Sequence, residues 1–392
     1  MGEKRLTIFR DLLKAEFVAR PNRFVVECRL DGRMTRCHLP NPGRLWELLL
    51  PGRTVHLVHK SKEGQRSTDF TCVAVEREGH PVMLHTHHTN TVARWLIDSG
   101  GIPGLECFSV VRPEVAIGGS RFDFLLSDGR EELVLEVKSC TLFSEDIAMF
   151  PDAVTTRGRK HLETLADLSR RGLRAGVLFV VHSPRARCFM PEYHTDPLFS
   201  QTLCDIKDDL LIRAIGVKWE GDLSLMQGAK RLAIPWSLVK EEAQDRGSYI
   251  LVLRLGRRRR LPVGGLGIRE FRQGYYLYVG SAARNLQKRI SRHQRTGKKL
   301  HWHIDYLREE SQFIAALPIL ASTPLECEIA AAIRSIADWT VCGFGSSDCA
   351  CESHLFGMEI NPIVSPRFID LLHEFRINRL HGLLGRGCEE QA

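Results

Sequence analysis

The sequence predicts a multidomain α/β protein that begins with a small β-barrel. Three observations lead there. The chain has 392 residues, long for one domain, so two or three are expected. Short β-segments separated by turn residues fill 16–80, and strands then alternate with helices from 108 onward, the patterns of a barrel and of an α/β core. A further set of strands and helices follows a polar stretch near 240–247. The expected division is a barrel at 1–85, an α/β domain at 86–238, a linker at 239–246, a second α/β domain at 247–375 and a tail at 376–392.

The elements follow in order. Phe24-Val25-Val26-Glu27-Cys28-Arg29-Leu30 reads as a strand, and Asp31-Gly32 after it is a hairpin signal. Gly43 and Pro51-Gly52 punctuate the next stretch, and Val55-His56-Leu57-Val58 reads as another strand. Residues 90–98 predict a helix that stops at Gly100-Gly101. Strands are expected at 109–117, 120–126, 132–138 and 176–182, with a helix near 157–171. Pro235 and Lys240-Glu241-Glu242 mark a boundary. Beyond it, Tyr249–Leu253 and Tyr275–Val279 predict strands, and 284–295 and 325–337 predict helices. There is no internal repeat, and Arg257–Arg260 is the one low-complexity run.

Hydrophobic content of 43% and charged content of 26% are ordinary for a globular protein. The net charge of +8 suits a polyanion partner. No run of 18 apolar residues exists, which argues against a membrane span. Met1–Leu6 has neither the apolar core of a signal peptide nor a myristoylation pattern. Twelve cysteines without such a signal are expected to be reduced thiols in a cytoplasm, most of them acting as small buried hydrophobes.

Side chains two apart on a strand share a face. Val134, Glu136 and Lys138 therefore point one way, and Arg121 and Asp123 share a face on the preceding strand. A four-residue loop at 128–131 pairs Ser127 with Glu132 and sets Asp123 opposite Glu136; a two-residue loop at 128–129 makes them diagonal neighbours. Two carboxylates on one face repel unless a cation lies between them, and oxygen ligands favour Mg²⁺ or Mn²⁺. Such an ion polarises a phosphate and acidifies bound water, while Lys138 orients that water or stabilises the charged transition state. Glu114 is a further candidate ligand. The competing reading is an exposed hairpin with a Glu136–Lys138 salt bridge. Arg157, Arg159, Lys160 and His161 crowd the start of the next helix, as a phosphate grip or a solvated face. Asn41 and Arg44 are candidates for a nucleic-acid face on the barrel, or parts of an ordinary Pro-Gly turn.

Asn41-Pro42-Gly43-Arg44, Arg121-Phe122-Asp123-Phe124, Glu136-Val137-Lys138-Ser139 and Phe150-Pro151-Asp152-Ala153-Val154-Thr155, followed by Arg157-Gly158 and Lys160-His161-Leu162, resemble the sugar fermentation stimulation protein A family over residues 1 to about 238. That resemblance implies an N-terminal OB-like barrel and a restriction-endonuclease-like core of the PD-(D/E)xK type. It implies metal-ligand roles for Asp123 and Glu136 and a catalytic role for Lys138. It also carries a second expectation, a DNA-binding transcriptional regulator of sugar-metabolism genes without cleavage.

Gly247-Ser248-Tyr249 and Tyr278-Val279-Gly280 head a second constellation. A tyrosine hydroxyl is a poor base unless a cation depresses its pKa, and Arg254, Arg289 and Arg292 supply positive charge. Arg289 and His293 are four apart and share a helix face. A tyrosine, an arginine, a histidine and one acid suffice for single-metal phosphodiester cleavage. Glu326 or Glu328 is the candidate ligand. Together with His301–Leu307, Ser347-Asp348-Cys349, Cys351 and Ser353-His354-Leu355, the block at 247–360 resembles GIY-YIG nucleases, and more closely a small uncharacterised family related to them. That resemblance implies site roles for Tyr249, Tyr278, Arg289, His293 and one of the two glutamates. Cys349, Cys351 and His354 invite a zinc reading, but a second ligand pair is missing unless Cys342 joins, so buried thiols and a structural histidine are expected.

The expectation is a Mg²⁺- or Mn²⁺-dependent nuclease acting on DNA, with RNA left open. Metal-dependent strand cleavage separates it from the regulator.

Overall fold

Five strands near the start of the chain curl into a closed barrel. The computed structural model describes residues 5–60 and 68–384; the start of the chain to Lys4 and the end of the expected tail lie outside the described residues. Strands Leu13–Asn22, Val25–Leu30, Arg33–His38, Thr54–His59 and Phe70–Arg77 pair in antiparallel fashion around the barrel, and His80–Met83 extends the sheet. Parallel pairing of Cys37 with Phe70 and His38 with Thr71 closes the circle. Asp31 and Gly32 both take positive φ, 48° and 78°, as the tightest hairpin turns require. Val26, Cys28, Cys37, Val55, Leu57 and Cys72 fill the interior, so these three cysteines do behave as small hydrophobes.

An α/β layer follows. Its six-stranded sheet runs Lys230–Arg231, Leu211–Gly216, Ala175–Val181, Glu132–Cys140, Ser120–Ser127, Ser109–Ile117. The three central strands, from 132, 175 and 211, are parallel and carry nearly continuous apolar runs, as strands covered on both faces must. Helix Thr89–Asp98 packs Val92, Ala93, Leu96 and Ile97 on one face, with Leu126, Leu133 and Leu178. Helix Thr156–Arg170 covers the other with Leu162 and Leu165, beside Leu125, Val134 and Phe179. That second cluster also contains the barrel residues Phe17, Val26 and Leu57. Barrel and α/β layer thus share one core.

Two compact units result. One runs to Trp236 and takes the chain up again from His381; the other is Ser237–Leu380. The second unit is built on a five-stranded antiparallel sheet, in the order Gln312–Leu320, Gly247–Leu255, Gly274–Ala282, Leu355–Met358, Trp339–Thr340. Helices Leu286–Gln294, His303–Glu310, Glu326–Ile336 and Pro366–Arg376 accompany it. The Arg257–Arg260 run belongs to an extra hairpin, Arg259–Pro262 with Ile268–Phe271, which accounts for the long spacer between Tyr249 and Tyr278.

Two expected boundaries are corrected. The linker at 239–246 is not extended chain: helix Trp236–Glu242 occupies its first half. Val239 and Glu242 are fully buried, and Glu242 is held by Arg379 at 2.6 Å and the Ser322 hydroxyl at 2.5 Å. The tail expected from 376 begins instead as structured chain, with Arg376 bonded to the Pro318 carbonyl and Leu380 buried. Among the described residues no helix is long and apolar enough to cross a membrane.

Candidate active sites

The first candidate centre lies where strands Ser120–Ser127 and Glu132–Cys140 diverge. Their connection is the four-residue loop: Ser127 pairs with Glu132 and Phe124 with Leu135. Asp128 closes the loop by accepting from the Arg130 and Glu131 amides at 2.8 and 2.9 Å. The ladder stops one step before Asp123 and Glu136, and Asp123 instead caps the freed strand. Its Oδ2 accepts from the Val137 amide at 2.7 Å, and its Oδ1 from the Asn90 side chain at 2.7 Å. Burial raises the Asp123 pKa, and the Glu136 charge raises it further.

Glu136 is buried. Burial pushes its pKa up, but His161 and Lys138 outweigh that and leave the carboxyl below its ordinary range. Its Oε1 accepts from Lys138 Nζ and, at 2.7 Å, from His161 Nδ1. Its Oε2 is buried with no hydrogen-bond partner. A buried charged oxygen without a partner costs more than the roughly 1–3 kcal/mol of a neutral one, so this atom is built to face something else. A divalent cation fits: an orphaned carboxylate oxygen and a second acid of raised pKa form an oxygen donor pair.

Other predicted residues fall differently. Glu114 is not brought to the pair: at φ 53° its side chain is 71% exposed and bonded to Arg121 at 3.2 Å. His161 is no phosphate grip, because it is buried, packs edge-on to Phe122 and orients Glu136. Arg157 and Lys160 are exposed, and Arg157 Nε donates to His161 Nε2 at 3.4 Å. Asn41 is corrected from a nucleic-acid contact to a buried turn anchor that donates to the Leu84 carbonyl and accepts from the Gly43 amide. Arg44 is half-buried and lies 4.9 Å from the Trp46 ring centre. Asn90 was missed, because no spacing links a helix N-terminus to a strand 33 residues on.

The second candidate centre lies in the other unit. Tyr249 pairs with Gly280 and Leu251 with Tyr278, so the two tyrosines are diagonal neighbours on one face, with ring centres 6.3 Å apart. The Tyr249 ring lies across Gly280, where a Cβ would sit 2.4 Å from Tyr249 Oη. This is the steric reason for glycine two places after Tyr278. Tyr249 Oη meets His293 Nε2 at 3.0 Å, and His293 Nδ1 faces Asp305 Oδ1 at 3.5 Å. Asp305 is fully buried among Arg292 at 2.9 Å, Lys298 at 3.0 Å and the His301 and Trp302 amides. Burial works against its charge, but these partners prevail and hold its pKa far below the carboxylate range. Burial lowers the His293 pKa, leaving a neutral imidazole that can accept a proton.

The tyrosines are not acidified. Burial raises both, Tyr278 further through Glu326, and Arg289 offsets only part. Arg254 lies apart, exposed and over Tyr275. Arg289 donates to the Ser281 carbonyl at 2.5 Å and stacks on Trp302, with Arg292 near the same ring. Of the two glutamates, Glu328 is corrected: it is exposed. Glu326 lies inward, accepts from the Ser281 hydroxyl and meets His354 Nδ1 at 3.1 Å. The spacing of His301–Leu307 gives Asp305 and Trp302 no role; packing against His293 and Arg289 does.

Residues 18–84 match the SfsA N-terminal OB domain, 87–222 the sugar fermentation stimulation protein RE domain, and 248–376 the domain of unknown function DUF123. A sugar fermentation stimulation protein homolog from Methanothermobacter thermautotrophicus is 36% identical over 234 residues, which cover 55% of this chain and 97% of that protein. One from Chloroflexus aurantiacus is 40% identical over 207 residues, 53% of this chain and 77% of that one. The solved Pyrococcus furiosus SfsA, in complex with Ca²⁺, superposes with a TM-score of 0.54 at 29% identity, covering 59% of this chain and 99% of that one.

Proposed function

Since the chain belongs to the sugar fermentation stimulation protein family, we propose that its first unit is a divalent-metal-dependent nuclease of the PD-(D/E)xK type. The observation that carries this reading is the buried, unpartnered Oε2 of Glu136 beside Asp123. Asp123 and Glu136 would hold Mg²⁺ or Mn²⁺. The ion would supply polarisation of the scissile phosphate and an acidified water. The Pyrococcus furiosus relative was solved with Ca²⁺, another hard cation that takes oxygen ligands. His161 keeps Glu136 ionised and aimed. Lys138, on the same strand face, offers its ammonium to charge developing on phosphate oxygens. Arg157 and Lys160 are exposed on the helix that carries His161, placed to meet a nucleic-acid backbone. The OB domain supports nucleic-acid binding.

The second unit is read as a GIY-YIG-like centre. His293, neutral and backed by Asp305, takes a proton through Tyr249, while Arg289 steadies phosphate charge. Tyr278, partly exposed, presents its hydroxyl to substrate, and Glu326 would be the metal ligand.

The test is cleavage of labelled single- and double-stranded DNA and RNA by the full chain with Mg²⁺ or Mn²⁺. Lys138→Ala and Tyr278→Phe are each expected to remove a separable activity, by 100-fold or more if each removes the stabilisation typical of such groups, ~10²–10³. Salt-dependent binding with no cleavage of any substrate would favour the regulator instead.

A further inference from the structure

Four side chains that neither centre uses as ligands converge in the second unit. Cys327 lies in the first turn of helix Glu326–Ile336. Cys349, Cys351 and His354 come from the loop between Trp339–Thr340 and Leu355–Met358. One ligand atom from each lies within 4.8 Å of all the others. The sequence offered only Cys342 to complete this set. Cys342 instead faces Glu352 at 3.4 Å, and Cys327, far upstream, takes the fourth position.

Three thiols and an imidazole around one point are the donor set of a closed tetrahedral zinc site, with Zn–S about 2.3 Å and Zn–N about 2.0–2.1 Å. Soft thiolates select zinc over Mg²⁺ or Mn²⁺. The imidazole orientation adds an independent observation. His354 is almost wholly buried. Its Nε2 faces Cys349 Sγ at 3.4 Å, and its Nδ1 faces Glu326 Oε1 at 3.1 Å. An imidazole that binds a cation through one nitrogen must carry its proton on the other, and a carboxylate receiving that proton fixes tautomer and ring.

We infer that Cys327, Cys349, Cys351 and His354 bind a structural zinc ion, and that the ion, through His354, fixes the Glu326 carboxylate of the second centre. The second half rests on the reading of Glu326 as a metal ligand. The zinc site itself does not. With Nε2 on zinc, His354 Nδ1–H donates to Glu326 Oε1, and the Ser281 hydroxyl donates to Oε2. The carboxylate is then held by two donors, one of them anchored on the ion. The two cations have different jobs: zinc holds the scaffold, and the hard ion belongs to the reaction.

The experiment uses the full chain, purified in reductant without chelator, with metal content read by plasma mass spectrometry. About one zinc per chain is expected, as one closed four-ligand site takes one ion. Cobalt exchanged into the site under anaerobic conditions should show thiolate-to-cobalt charge transfer and the visible bands of a tetrahedral ion. Cys327→Ser and Cys351→Ser should lose both signals, and Cys342→Ser should keep them. Cobalt titration of chelator-stripped wild-type protein supplies the answer should those variants fail to fold. Background zinc and no cobalt spectrum would overturn the site, as would a disulfide among these cysteines in reduced protein. Glu326→Ala should weaken cobalt binding about 10–100-fold; unchanged affinity would overturn the coupling to Glu326. If it weakens cobalt but leaves Mn²⁺ binding intact, the zinc inference holds and the reading of Glu326 as a catalytic-metal ligand falls.

Discussion

A single oxygen atom, Glu136 Oε2, separates a nuclease reading from a plain salt bridge. Lys138 and His161 saturate the other oxygen of the same carboxylate, so an ion-pair role would already be complete. A metal on that oxygen, as proposed, would register in the protein's own stability. Mn²⁺ at about 100 times its Kd should stabilise the folded chain by ~2.7 kcal/mol without any nucleic acid. Thermal unfolding of the first unit with and without Mn²⁺ measures this; Glu136→Ala should remove the gain of that unit, and Glu326→Ala, which belongs to the other unit, should leave it unchanged. A regulator without a metal site would show no such gain. Strand parity alone brought Asp123, Glu136 and Lys138 together, though the ladder it continued to Asp123 opposite Glu136 stops one step short. Their partners were not legible: His161 and Asn90 arrive from helices, and only the packing of those helices on the sheet brings them near. The same blindness applied to Asp305, whose importance comes from burial, which no motif spelled out.

At the level of elements, register does the placing. Antiparallel pairing of Gly247–Leu255 with Gly274–Ala282 sets Tyr249 over Gly280. Gly280→Ala should drive a Cβ into the tyrosine ring, costing roughly 1–3 kcal/mol as overpacking does, and should break the Tyr249–His293 hydrogen bond. In a double-mutant cycle by chemical denaturation, Tyr249→Leu should recover part of that loss; strict additivity would mean the ring and Gly280 do not interact. Periodicity and turn residues made many strands and helices readable, among them Thr89–Asp98, Ser109–Ile117, Ser120–Ser127 and Glu326–Ile336, but not the strands Leu211–Gly216 and Gln312–Leu320 or the helices Pro197–Asp205 and Pro366–Arg376. The linker was not readable either, because Lys240-Glu241-Glu242 looks like a solvated run. Glu242 is buried only because Arg379 and Ser322 meet it, and no local rule anticipates partners so far along the chain.

Over the whole molecule, the barrel and the first α/β layer meet through charge as well as apolar packing. The Asn41–Trp46 turn rests on Asp152, whose Oδ2 accepts from the Leu45 amide at 3.2 Å. A Cβ on Gly43 would sit 2.4 Å from that same oxygen, so a larger residue there would wedge the contact apart. Glu47 is buried beside it, and burial first, then the Asp152 charge, push its pKa up to about 7. A carboxyl whose pKa is raised on folding holds a proton that the unfolded chain has released, so its contribution falls as pH climbs from about 4.5 to about 7. Above that window the cost is on the order of 3 kcal/mol. Glu47→Gln should therefore unfold at higher denaturant than wild type at pH 8 but not at pH 4.5; equal gaps at both pH values would refute the burial argument. The family descriptions divide this region at 84 and 87, yet Phe17, Val26 and Leu57 of the barrel lie in one cluster with Val134 and Phe179 of the sheet. Descent should respect the cluster rather than the boundary. A lineage can gain or shed Ser237–Leu380, which is compact in itself, but losing the barrel would strip one wall from the α/β core. Barrel and core should therefore be inherited, duplicated and transferred as one piece, whatever happens to the second unit.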